Sequence, residues 1–223
     1  MKVTTDACLF GAWVAEQVKG ENSHVRNVLD AGTGTALLSL MYAQKNTGAS
    51  IDAIEIDKEA FQQAQGNVEA SPFAERIRVF HGDVKTFLFE KKYDHIISNP
   101  PFYESELMSG NEKKNIAHHH EGLVLEELLL LIKANIATGG FFSLLLPYKR
   151  NKEIKTLLQD FDIKQIAFVR QSSDHDYFRI MLTGKLKDEI ETETIIDEIA
   201  IRDNQQQYTE EFIKLLKDYY LHL

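Results

Sequence analysis

VLDAGTGTALLSL, Val28 to Leu40, is the stretch whose reading decides the fold of this chain. A short apolar run with strand character leads into Asp30. Gly32 and Gly34 then mark a tight turn, and an apolar stretch of helical period begins near Thr35. Glycine at these two positions reaches dihedrals closed to other residues, so the backbone can approach a ligand and present N–H groups at a helix N-terminus. Strand-to-helix turns also use glycine simply because they are tight, so the loop alone does not establish a ligand site.

Working outward, runs rich in strand formers recur at Val25–Asp30, Ser50–Ile56, Ile77–His81, Tyr93–Ser98, Gly140–Leu146, Ile163–Val169 and Phe178–Lys185, with longer amphipathic stretches between them. That alternation predicts an α/β chain: a seven-stranded, mostly parallel sheet with helices on both faces. The clearest helix is read over Leu123–Ala137, with Gly139-Gly140 as its C-terminal stop, and another ends over Gln159–Asp162. Residues 206–223 are read as a C-terminal helix that packs back onto the rest. Between the fourth strand and the Leu123 helix, residues 103–122 are polar and glycine-punctuated, a length that suits a mobile substrate loop. No repeat or proline-rich linker divides the chain, so residues 1–223 are read as one domain.

Composition narrows the classes. Hydrophobic residues at 43% and charged residues at 26% exclude a mainly disordered chain. The longest apolar runs, Leu128–Ile132 and Phe141–Pro147, fall far short of the roughly 20 residues a spanning helix needs, and nothing near the N-terminus marks the chain for export. Cys8 is the single cysteine, so neither an intrachain disulfide nor a thiolate zinc cluster is expected, which suits a cytoplasmic location. A net charge of −9 argues against a phosphate-rich partner, but six acids and no base lie between Asp188 and Glu198, a run read as a solvated acidic edge.

Glu55, in IDAIEID, stands at the carboxyl end of the second strand, where a carboxylate can accept both ribose hydroxyl protons. That spacing suits NAD or S-adenosylmethionine. The dinucleotide fingerprint G-x-G-x-x-G fails at Leu37, whereas the D-x-G-x-G-x-G pattern of methyltransferases is met at Asp30, Gly32 and Gly34, with Ala36 in the last slot. Asp57 reads as an N-cap for a helix starting at Lys58. Asp83, in HGDV, reads equally as an acceptor for an adenine amino group or as a cap.

SNPPFY, Ser98 to Tyr103, follows the fourth strand directly. Two prolines stiffen the backbone, so the Pro100 carbonyl and the Asn99 amide oxygen can both face a cleft as acceptors. Two acceptors suit an amino group. An NH2 on an sp² carbon is a poor nucleophile because its lone pair is delocalised; held by two acceptors, the nitrogen can move toward tetrahedral geometry and aim that pair at a sulfonium methyl. Phe102 would stack on the base, worth about 1–3 kcal/mol. Asn99, Pro100, Pro101 and Phe102 are therefore the candidate catalytic residues, and the chemistry is positioning rather than acid–base work.

With these motifs in hand, the chain resembles the class I Rossmann-like methyltransferases of the N-P-P-F/Y group. Within it the chain is most similar to the bacterial tRNA1(Val) adenine-37 N6-methyltransferase family, through KVTTDACLFGAW (Lys2 to Trp13), HHHEGLVLEELLLLIKANIATGGFFSLLLP and the closing YTEEFIKLLKDYYL. The resemblance implies S-adenosylmethionine as cofactor and a tRNA adenine N6 as acceptor, with no metal, no membrane and a monomeric enzyme. It implies that residues 1–20 close over the cofactor. It further implies that Thr5, Asp6, Phe10, Asp30, Gly32, Thr33, Gly34, Glu55, Ile56, Asp83, Val84 and Asn99 line the cofactor side, and Phe102 and Tyr103 the target. Thr4-Thr5 replaces the family's glycine-threonine pair. For nucleic acid, the basic candidates are Lys113, Lys114, Lys149, Arg150, Lys152 and Arg170, each of which also reads as ordinary solvated surface. His118, His119 and His120, like His175, carry no metal-ligand pattern. The motif specifies an amino group better than a tRNA, so a ribosomal RNA or DNA base, a protein glutamine amide, and a non-catalytic cofactor-binding module stay open as alternatives. Phe102, where the glutamine group usually has tyrosine, favours a nucleobase.

Overall fold

The computed structural model describes residues 3–18, 25–100, 124–188 and 193–223. Its sheet has strands β1 (Asn27–Ala31), β2 (Ser50–Glu55), β3 (Ile77–His81), β4 (Tyr93–Ser98), β5 (Ile136–Pro147), β6 (Phe161–Ser172), β7 (Tyr177–Leu186) and β8 (Ile195–Arg202), in the order β3-β2-β1-β4-β5-β7-β6-β8. All neighbours are parallel except β7, which runs antiparallel to β5 and β6. β1 and β2 are buried along almost their whole length, as parallel strands covered on both faces must be. Helices α1 (Thr5–Gln17), α2 (Leu37–Lys45) and α6 (Glu210–Leu216) share one apolar cluster with the sheet; α4 (Leu125–Asn135) and α5 (Asn151–Leu157) share the other. α3 (Lys58–Glu69) begins at Asp57, whose carboxylate accepts from the Ala60 N–H at 2.8 Å, as the N-cap reading requires.

Two readings of the sequence need correction. The sheet has eight strands, not seven, because part of the acidic run is strand β8, parallel to β6. Its Asp197 and Glu198 mask an apolar face that shows only toward the end, where Ile199 and Ile201 are buried. Gly139-Gly140 does not stop a helix. α4 ends at Asn135, whose side-chain amide donates to the Leu131 carbonyl at 3.0 Å. The glycines instead lie in β5, where its register on β4 shifts; a Cβ on Gly140 would stand 3.0 Å from the Asp94 carbonyl oxygen, so any larger residue would have to push the strands apart by a few tenths of an ångström.

A polar chain crosses the sheet inside this apolar packing. His95 on β4, fully buried, faces the Tyr42 hydroxyl with Nδ1 at 3.2 Å and the Ser143 hydroxyl with Nε2 at 3.0 Å, and Ser143 reaches Thr183 at 2.8 Å. Each ring nitrogen thus has a partner without any charge, and burial pushes His95 down to about 3.

α1 lies deep: Ala7 to Ala15 are all buried, including Cys8, and the helix packs on α2 and α6. Gly11 allows that approach, because a Cβ there would stand 2.6 Å from Met41 Sδ and 3.3 Å from Leu38 Cδ2. Replacing a mid-helix glycine with alanine ordinarily gains about 1 kcal/mol, whereas overpacking costs about 1–3 kcal/mol. The contact at 2.6 Å decides the sign: Gly11→Ala is expected to lower the melting temperature by a few degrees, roughly 2–4 °C per kcal/mol at this size. A rise on thermal denaturation would mean that Met41 gives way freely.

Candidate active site

The candidate residues converge at the carboxyl ends of β1, β2, β3 and β4. Residues 32, 34 and 36 after β1 adopt left-handed dihedrals, Gly32 at φ +75°, Gly34 at φ +61° and Ala36 at φ +63°, so the loop folds sharply before α2 begins at Leu37. Its N–H groups do not face outward as the sequence suggested. Gly32 and Thr33 donate to the Ile54 carbonyl at 3.0 and 2.9 Å, and Gly34 donates to Glu55 Oε2 at 2.7 Å. The loop is thus bonded to the end of β2, and the glycines serve by shape. A Cβ on Gly32 would meet no atom within 4 Å, so that position opens onto free space.

Asp30 is the electrostatic centre. It is fully buried; Oδ2 accepts from Thr33 Oγ1 at 2.6 Å and Ser39 Oγ at 2.7 Å, while Oδ1 has no partner among the described residues. Burial pushes its carboxyl up to about 6, with nearby Glu55 adding to the rise and the two hydroxyls opposing it. A buried acceptor with nothing to accept from is rare. A cationic or N–H-bearing ligand beside Oδ1 would satisfy it.

Glu55 is 6% exposed and held at both oxygens, Oε2 by Gly34 and Oε1 by the Asp57 N–H at 2.9 Å. A carboxylate has about four acceptor sites, so two remain for hydroxyls. Gly82 N–H donates to the Glu55 carbonyl at 2.9 Å, bringing the ends of β2 and β3 together. There Ile56 is exposed and Val84 buried. Asp83 acts as a turn cap, its Oδ1 accepting from the Lys85 N–H at 2.9 Å.

Asn99 follows β4. Ser98 donates to the Ala31 carbonyl at 2.6 Å, which ties the end of β4 to the start of the glycine loop. The register pairs Asp30 with Ile97, so Asn99, two residues on, lies level with Gly32. Asn99 is half-buried and Pro100 buried. Pro101, Phe102, Tyr103, Lys113, Lys114 and the 103–122 loop lie outside the described residues.

Comparison with known proteins shows the family. Residues 14–132 match the family model for the methyltransferase small domain. The chain belongs to that family. A tRNA1(Val) (adenine(37)-N6)-methyltransferase of Flavobacterium johnsoniae is 32% identical over 99% of this chain and 93% of its own. One of Dyadobacter fermentans is 52% identical over 66% of this chain and 59% of its own. Among solved structures, a predicted O-methyltransferase from Agrobacterium tumefaciens superposes with a TM-score of 0.71, covering 95% of each chain at 16% identity, which shows the shared fold. A glycopeptide N-methyltransferase solved in complex with S-adenosylmethionine superposes with a TM-score of 0.55 at 11% identity, again a likeness of fold. Asp30 Oδ1, the open space at Gly32 and the free acceptor sites of Glu55 fit a cationic nucleoside, so the residues present suit that cofactor.

Other candidates are placed differently. Phe10 is core, fully buried and 6.4 Å from the Trp13 ring, so it does not line an open surface. Thr5 is exposed at the start of α1. Asp6 accepts from Arg179 Nε of β7 at 2.7 Å, a bond that fastens α1 to the far half of the sheet. Burial would raise the Asp6 carboxyl, but hydrogen bonds from Thr4 and Arg179 and the guanidinium charge outweigh it and hold the group below its ordinary value. Sequence reading missed Arg179; its partner lies 173 positions away, and no local pattern marks it. Lys149 and Arg150 occupy the turn after β5 and Lys152 the first turn of α5, with Arg150 Nε donating to Glu153 Oε2 at 2.7 Å. Arg170 lies near the end of β6. Among the described residues no cluster of three or more histidines, cysteines and acids could hold a metal, and no helix is long and apolar enough to cross a membrane.

Proposed function

We propose that this methyltransferase transfers the methyl group of S-adenosylmethionine to the exocyclic N6 of an adenine in tRNA, with adenine 37 of tRNA1(Val) the acceptor named by its relatives. The observation that supports the reading is the tie between Ser98 and Ala31, which holds Asn99 level with the glycine turn. When bound, S-adenosylmethionine supplies an electrophilic methyl on a cationic sulfur. Asp30 and Glu55 would hold it, Glu55 through the ribose hydroxyls and Asp30 through Oδ1. Asn99 Oδ1 and the Pro100 carbonyl accept the two N–H groups of the target and turn its lone pair toward the methyl. The chain's own part would be to keep the target nitrogen facing that methyl, and the proton the nitrogen gives up would pass to water, with no side chain required as base. Holding both partners in line is the main source of rate, since no strong base is needed.

The test is transfer of labelled methyl to unmodified tRNA followed by nucleoside digestion. N6-methyladenosine is the expected product. Label absent from tRNA but present in ribosomal RNA, DNA or a protein glutamine would move the substrate to that class.

Asp30 gives a prediction with two signs. Its folded value near 6 lies above the ordinary 3.8, so its favourable contribution to the ligand-free fold is complete below about pH 4 and is lost as pH rises through 6, a cost of roughly 3 kcal/mol at neutral pH. Asp30→Asn keeps an acceptor for Thr33 and Ser39 and removes the charge. The ligand-free variant is expected to melt higher at pH 7.5, and to bind S-adenosylmethionine about tenfold or more weakly by calorimetry. A variant that binds as tightly as the original would show that Asp30 does not face the cofactor's charge.

A further inference from the structure

Beyond β5, three rings meet at the carboxyl edge of the sheet. Tyr148, just after β5, lies 5.6 Å from Phe168 of β6 and 5.2 Å from Tyr177 at the start of β7, and Phe168 and Tyr177 are 5.4 Å apart. All three are half-buried. The arrangement depends on an irregularity in pairing: Phe168 opposes Ile180 and Val169 opposes Arg179, but Arg170 opposes Tyr177. Phe178 is the extra residue of this bulge, and it turns to the α1 side of the sheet, where it packs against the core. Tyr177 is thereby brought to the face of Phe168. Without the bulge the alternation of the strand would set Tyr177 on the opposite face.

One cation stands over this aromatic surface, and three more follow Tyr148 in the chain. The Arg170 guanidinium stands over the Tyr177 ring at 5.6 Å, bonded to Glu198 Oε2 at 3.2 Å and the Ser173 carbonyl at 3.1 Å, with its buried Nε lacking an acceptor among the described residues. Lys149 and Arg150 follow Tyr148 directly, and exposed Lys152 comes next on α5. Half-buried rings interleaved with lysine and arginine are what an unpaired nucleic acid strand requires, since each base offers a π-face to stack and each linkage a negative charge. A structural role for the rings alone would not call for the bulge, nor for the guanidinium set over Tyr177.

Position completes the argument. In the sheet order, β5, β7 and β6 lie one, two and three strands from β4, and Tyr148 stands beyond the level of Asn99 along β5, so at about 4.8 Å per strand and about 3.3 Å per residue the rings begin roughly 11 Å from Asn99, about three nucleotide rises. We propose that Tyr148, Phe168 and Tyr177, with Arg170 above them, form a stacking platform for the unpaired nucleotides that flank the target base. The proposal rests on the nucleobase reading above. It assigns the far half of the sheet the task of holding the strand while the near half holds the cofactor.

Tyr177→Leu is the deciding variant, because Tyr148 and Phe168 also pack against the α4 core whereas Tyr177 does not. Its binding to a short fluorescent oligoribonucleotide, single-stranded and annealed to its complement, is measured at low salt with S-adenosylhomocysteine present. The leucine variant is expected to lose about tenfold in affinity for the single strand and little for the duplex, Tyr177→Phe to retain binding, and S-adenosylmethionine affinity to stay unchanged in both. In turnover the loss is expected in KM rather than kcat. Unchanged single-strand binding by Tyr177→Leu, equal losses on strand and duplex, or a wild-type chain that binds no strand would overturn the platform. Strand binding with no label entering tRNA would instead leave the platform standing and defeat the substrate reading. Should Tyr177→Leu also lose the cofactor, Arg170→Gln decides: unchanged single-strand affinity and salt dependence in that variant would count against the platform.

Discussion

Asn99→Ala is expected to abolish most methyl transfer while leaving S-adenosylmethionine binding nearly intact. The side chain contributes one of two acceptors for the target amino group, and the backbone around it is fixed by Pro100 and by the Ser98 hydrogen bond to Ala31. Removing it leaves the nitrogen lone pair delocalised and unaimed, with the Pro100 carbonyl as sole acceptor. Loss of one preorganised hydrogen-bonding group at a reacting centre typically costs on the order of 10²-fold to 10³-fold in rate. The comparison of interest is single-turnover methylation by the two proteins with cofactor saturating. A variant within a few-fold of the parent would remove Asn99 from the mechanism. Asn99→Asp separates charge from geometry: it keeps an acceptor, so partial activity there with none in alanine would support the acceptor role.

The second large effect concerns stability in acid. His95 is neutral inside the sheet, with burial holding it near 3, whereas an unfolded histidine titrates near 6.5. Its folded value is depressed, so the unfolded chain binds the extra proton first. The stability associated with the neutral ring is complete above about pH 6.5 and is lost progressively as pH falls toward 3, at roughly 1.4 kcal/mol per pH unit. Over the first two units that is a large share of an ordinary domain's stability. Urea denaturation between pH 7 and 5 should show the midpoint falling steeply, and His95→Gln, which can still bond Tyr42 and Ser143, should show a shallower fall. Parallel curves for the two proteins would mean that other groups govern the acid limb. Asp30 works in the opposite direction over part of this range, so Asp30→Asn makes the slope due to His95 steeper.

How much of this was legible in the sequence depends on the distance over which each signal acts. The Asp57 cap, and the places of Glu55 and Asn99 at strand ends, were legible because each is set by neighbours within a few positions: a helix start, a strand end, a proline. The glycine turn lies between β1 and α2 as the sequence implied, but its N–H groups do not face outward, since the Ile54 carbonyl and Glu55 that capture them belong to a different strand. β8 escaped because its acids hid the buried Ile199 and Ile201. Gly139 and Gly140 were read as a helix stop, the commoner local meaning of such a pair, when a strand register required them. The Asp6–Arg179 bond and the three-ring cluster are products of tertiary pairing, and a one-residue bulge in β7 decides the second. No periodicity along the chain encodes either.

Cys8 adds a practical consequence. It is 7% exposed within α1, and burial raises its thiol above the ordinary range. Thiolate is the reactive form, so alkylating reagents should stall on the native protein and act only when α1 lifts from α2 and α6. The chain therefore carries its own stopwatch. The labelling rate of one thiol counts how often α1 detaches, and comparing that rate with and without S-adenosylmethionine would measure, in the same units, any hold a bound ligand has on the helix.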